Sequence, residues 1–80
     1  MSQKYLDPKA VGLVISEYRR KKNLSQEVLS GLADIGRTHL SAIECGARKP
    51  TLETVYKISV ALGVSMSAIV SDIEKAAKKT

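Results

Sequence analysis

Four helix-start signals divide this chain, and the space between them fits only short helices. Asp7 followed by Pro8, then Ser25, Thr51 and Ser65, each precede apolar residues at helical spacing. After Asp7-Pro8 come Val11, Val14, Ile15 and Tyr18 on one face. Arg19 to Lys22 then place positive charge at the carbonyl end, and Asn23 is a stop. Ser25 opens a second, short helix reaching about Ala33. Asp34-Ile35-Gly36 is a tight connection to a third helix, from Arg37 to about Cys45, which Gly46 ends. Ala47 to Pro50 form a basic loop. Thr51 caps a fourth helix carrying Leu52, Val55, Ile58 and Leu62 and stopped by Gly63; Ser65 caps a fifth. Leu6 with Val11, Leu24 with Leu29 and Val64 with Ile69 are spaced as hydrophobic staples. With no period-2 run, repeat or linker, the expectation is one all-α domain of five helices, residues 1–80.

Composition narrows the function classes. A chain of 80 residues buries a small core, so stability calls for a staple or a partner subunit. Cys45 is the single cysteine, which excludes an intrachain disulfide, and no Cys/His set has zinc spacing. Oligomerisation is therefore the expected supplement. His39 and Cys45 lie about 240° apart around their helix, so they cannot share a metal ion. No catalytic residue, metal or cofactor is expected, nor a small-molecule effector, since no sensor module is present. The formal net charge of +5 favours an anionic partner. Apolar runs are too short to span a bilayer, and Met1-Ser2-Gln3-Lys4 lacks the apolar stretch of a signal peptide. No membrane association and a cytoplasmic location are expected.

The third helix carries the functional signal. Leu40 and Ile43 fall on one side, with Gly36 beneath them, and Arg37, Thr38, Ser41 and Ala42 fall on the other. That outer side is small and polar, with one arginine at its N-terminal end. A helix of this kind is slim enough for the major groove, where Arg pairs bidentately with guanine and a Thr methyl meets thymine. An ordinary solvated face would look similar, so the wider pattern decides.

Leu24-Ser25-Gln26-Glu27, Gly36-Arg37-Thr38-His39-Leu40-Ser41-Ala42-Ile43-Glu44, Gly46-Ala47-Arg48-Lys49-Pro50 and Ala61-Leu62-Gly63-Val64-Ser65 occur in order. Together they resemble the lambda-repressor-like family (Cro/CI, XRE) of helix-turn-helix proteins, over about residues 10–71. Within it the chain looks most like controller proteins of restriction–modification systems, with phage-type repressors close behind. The resemblance implies a sequence-specific, double-stranded-DNA-binding transcription regulator. It places Arg37, Thr38, Ser41 and Ala42 at base edges. Gln26, at a helix N-terminus, and Arg48 and Lys49, in the loop, stand at the DNA backbone. His39 flanks that surface, near a phosphate. Arg19 and Glu44 match a structural pair between the first and third helices. Two positions depart from the family: Ser30 stands where Ala is common, and Asp34 where Gly is common.

A homodimer on a pseudo-palindromic operator follows from the small reach of one recognition helix, with half-sites about one helical turn apart. On the last helix, about residues 65–78, Met66, Ile69, Val70, Ile73 and Ala77 form a stripe longer than a small core needs. Met66, Ile69 and Ile73 are the expected dimer interface. Two rivals use the same fold: an antitoxin-like protein-interaction module, and an RNA-binding coactivator. The second is disfavoured because no aromatic residue lies on the outer face of the third helix to stack unpaired bases.

Overall fold

The computed structural model describes residues 4–78. Five helices follow one another, α1 (Pro8–Lys21), α2 (Gln26–Ala33), α3 (Arg37–Glu44), α4 (Leu52–Leu62) and α5 (Met66–Lys78). The caps act where the residues required them. Asp7, Ser25, Thr51 and Ser65 accept hydrogen bonds from the amides of Lys9, Val28, Thr54 and Ala68. Each satisfies a donor that has no partner inside its own helix, worth about 1 kcal/mol apiece. Asn23 (φ 58°), just past the end of α1, and Asp34 (φ 56°), closing α2, adopt the left-handed conformation. Asn and Asp tolerate that conformation better than other non-glycine residues, so the turn forms without glycine at Asp34.

Packing joins α1 to α3 and α5, α2 to α3 and α4, and α4 to α5. Ile15, Leu29, Leu40, Ile43, Ile58 and Ile69 meet at the centre, fully shielded from water. Each such aliphatic side chain contributes about 1.5–3 kcal/mol of burial. Leu24 and Val64 pack against this core, as staples would, whereas Leu6 is exposed. Gly12, which sequence reasoning passed over, is where α1 presses on the end of α3. A Cβ there would lie 2.3 Å from the carbonyl oxygen of Ile43.

Two expectations about α4 and α5 are corrected. Ile69 is 0% and Ile73 7% exposed, so they belong to the core and are closed to a partner. The reason is that α5 runs along α1 as well as α4, with the Tyr18 hydroxyl donating to the Asp72 carboxylate at 2.5 Å. Of the expected interface only Met66 stays half-exposed. Conversely Leu52, read in one helical series with Val55, Ile58 and Leu62, is 70% exposed. It opens the helix some 60° from Val55, at the margin of the buried arc, and it continues into Tyr56 and Val60, which are 57% and 60% exposed.

Candidate nucleic-acid interface

α3 is built with one sealed side and one open side. Leu40 and Ile43 anchor it in the core, while Arg37 and Thr38 are exposed and Ser41 and Ala42 are half-exposed. The four residues expected at base edges therefore share the outer side. His39 is half-buried at the margin between that side and the core face. Gly36 begins the helix with no side-chain cap, so the first amides of α3 are left for solvent or an anion. α2 precedes it through the Asp34 turn, closed by Asp34 and Ile35 amides donating to the carbonyls of Gly31 and Ser30. Ser30 is buried and donates its hydroxyl to the Glu27 carbonyl at 3.0 Å. Its small volume fits the tight spot, and its polar group is satisfied inside its own helix.

A polar clamp sets the angle between the helices. Arg19 Nε and Nη2 donate to Glu44 Oε2 and Oε1 at 2.8 and 2.9 Å, a bidentate pair from α1 to α3. Arg19 Nη1 donates to the Leu24 carbonyl at 2.8 Å, tying down the α1–α2 connection. Gln26 Nε2 donates to Glu44 Oε1 at 3.0 Å, so the start of α2 joins the same carboxylate. Both members of the pair are mostly withdrawn from water, at 12% and 6% side-chain exposure. The hydrogen bond to Glu44 holds the Arg19 guanidinium above its ordinary range, outweighing the cost of burial. Fork-to-carboxylate geometry fixes direction as well as distance, so α3 is oriented by α1 and α2 together.

The remaining expected residues rim this face. Gln26 contributes a helix N-terminus, though its side-chain amide is committed to Glu44. Arg48 and Lys49 are exposed in the loop after α3. Gly46 turns that loop with φ 80°, close against Lys9 at the start of α1. Sequence reasoning missed Tyr5, whose ring lies under the Lys49 ammonium. It also missed the exposed row Leu52, Tyr56 and Val60; their spacing of four was the available signal. Among the described residues, no group of three or more His, Cys, Asp or Glu is placed to hold a metal ion. No single helix among them is long and apolar enough to cross a membrane.

A sealed inner side, a slim polar outer side and a basic rim suit insertion into the major groove of duplex DNA. Comparison with known proteins agrees. A helix-turn-helix family model matches residues 15–69. The control protein C.MunI of a Mycoplasma species is 44% identical over 57 residues, 71% of this chain and 77% of that protein. The restriction-modification controller protein C.AhdI from Aeromonas hydrophila has a similar structure, with a TM-score of 0.77 and 31% identity. The likeness covers 81% of this chain and 98% of that one. SinR, a master regulator for biofilm formation solved in complex with DNA, gives a TM-score of 0.71 at 30% identity over 75% of this chain and 97% of that one. The chain belongs to the lambda-repressor-like (Cro/CI, XRE) helix-turn-helix family, and it is a DNA-binding transcriptional regulator.

Proposed function

We propose that this regulator acts as a homodimer on a pseudo-palindromic operator, as the controller protein of a restriction–modification system. The observation that carries the DNA reading is the outward side of α3, with Arg37 and Thr38 exposed while Leu40 and Ile43 lock the helix beneath them. Arg37 reads guanine, and Thr38, Ser41 and Ala42 supply hydrogen bonds and apolar contacts to neighbouring bases. The N-terminus of α2 at Gln26, with His39, Arg48 and Lys49, holds the phosphate backbone and fixes register. The likeness to two controller proteins supports the restriction–modification assignment. Action is in the cytoplasm, where the operator lies, and catalysis has no part in it.

The dimer surface belongs on the outer face of α4. Leu52, Tyr56 and Val60 form an exposed apolar row there, and Val70 and Met66 on α5 add apolar surface. A two-fold contact would cover the same patch on both subunits and present two α3 helices to successive major grooves.

Footprinting on the region upstream of the protein's own gene tests this reading. The expected result is two related half-sites about one turn apart, protected together. Arg37→Ala should weaken binding to that site by about 1–3 kcal/mol and bind random DNA nearly as before. Equal weakening on both would make Arg37 a phosphate contact, and a single unpaired half-site would refute the dimer.

A further inference from the structure

The segment ahead of α1 meets the loop after α3. Tyr5 lies under Lys49, with the ammonium nitrogen 4.4 Å from the ring centroid. Nearby, Gly46 comes so close to α1 that a Cβ there would sit 2.8 Å from Lys9 Cγ. Lys9, Arg48 and Lys49 are thus gathered at one end of α3, with Lys4 beside Tyr5 in the chain, and all four are exposed. The acidic group nearest in sequence, Asp7, spends its carboxylate on the Lys9 amide at 2.9 Å.

We infer that Tyr5 is a positioning residue for the nucleic-acid backbone, its ring ordering the Lys49 ammonium toward a phosphate. This rests on the reading of Arg48 and Lys49 as backbone contacts. A lysine side chain is long and strongly hydrated, and immobilising it on a phosphate costs rotamer freedom at the moment of binding. A ring face held within about 6 Å attracts the ammonium and narrows its range beforehand. The ring covers one side of the nitrogen only, so N–H donors on the other side stay available to a phosphate oxygen. Lys4 and Lys9 extend the same positive surface, which lengthens the footprint beyond what α3 itself can reach.

The test uses the full chain and a random-sequence DNA duplex, because a phosphate contact is indifferent to sequence. Affinity is measured across a salt series for wild type, Tyr5→Ala, Tyr5→Phe, Lys49→Ala and the Tyr5→Ala/Lys49→Ala pair. Tyr5→Ala should weaken binding about three- to ten-fold. It should also reduce the steepness of the log–log salt dependence by up to about one unit. Tyr5→Phe keeps the ring and should bind like wild type. Lys49→Ala should reproduce the loss, with Tyr5→Ala adding nothing to it. A Tyr5→Ala protein that binds like wild type beside a weakened Lys49→Ala overturns the inference and leaves the loop reading standing. Full affinity in Lys49→Ala overturns the loop reading itself, and the inference with it. A Tyr5→Phe protein as weak as Tyr5→Ala overturns it too, since the hydroxyl would then be the active group.

Discussion

The two C-terminal helices carry comparable apolar rows and put them to opposite use. On α5, Ile69 and Ile73 sit in the core; on α4, Leu52, Tyr56 and Val60 face solvent. α4 also buries a row of its own, Val55, Ile58 and Leu62, so neither periodicity nor composition separates the inward row from the outward one. What separates them is which other helices come alongside. α5 is flanked by α1 and α4, whereas α4 is covered by α2 and α5 on one side and left open on the other. An apolar row thus becomes core or open surface according to its neighbours, and the open side of α4 is the one that no helix of the chain covers.

The hardest test of that contrast is a charge placed in the closed row. Ile73→Asp buries a carboxylate without a partner, at a cost of about 4 kcal/mol or more. That approaches the whole stability of a domain this size, so the variant should lose its cooperative melt rather than survive as a folded monomer. A folded, monomeric Ile73→Asp protein would return the interface to α5.

A polar version of the same contrast compares two carboxylates. Glu44 is buried with Arg19, while Glu74 pairs with Lys78 at 3.8 Å in the open. Glu44→Ala leaves the Arg19 guanidinium stranded and should destabilise by about 3–5 kcal/mol. Glu74→Ala should leave the melting midpoint almost unmoved, as exposed pairs do. An unshifted melt for Glu44→Ala would mean that the clamp does not orient α3.

The bond that keeps α5 closed against α1 is weaker and has a pH signature. Tyr18→Phe removes the donor to Asp72 and should cost about 1 kcal/mol. That bond, helped by burial and by the Asp72 charge, holds the tyrosine above the ordinary tyrosine range. A raised native value means that the folded state holds the proton more tightly. Its stabilisation is therefore complete below the ordinary tyrosine range and lost as pH rises through the raised value. Melts of wild type and Tyr18→Phe should converge only in strong alkali. A gap that persists there would assign the loss to packing.

The smallest effect on folding is expected on the open row. Tyr56→Asp should change the stability of the monomer fold by no more than about 0.5 kcal/mol. In the proposed dimer it would set like charges against each other across the two-fold axis. Sedimentation should show monomers at concentrations where the wild type pairs, with operator binding losing its cooperativity. A Tyr56→Asp protein that still pairs would move the interface off α4.

Some of this was legible in the residues alone. Caps, stops and helix bounds are local interactions spanning a few residues, so Asp7, Ser25, Thr51, Ser65, Gly46 and Gly63 mark them without help from the fold. The two sides of α3 were equally legible, because only one side of so short a helix carries large aliphatic groups. The Arg19–Glu44 pair came from likeness to a family, since no local rule joins positions that far apart. Tertiary structure decided the rest. Ile73 is buried because α1 runs beside α5, a path the Tyr18–Asp72 bond helps to hold, and Leu52 is open because no helix covers that side of α4. The meeting of Tyr5 with Lys49 likewise depends on where a five-helix fold brings its N-terminal segment. Periodicity tells which residues share a face; only the neighbouring helices determine whether that face meets protein or water.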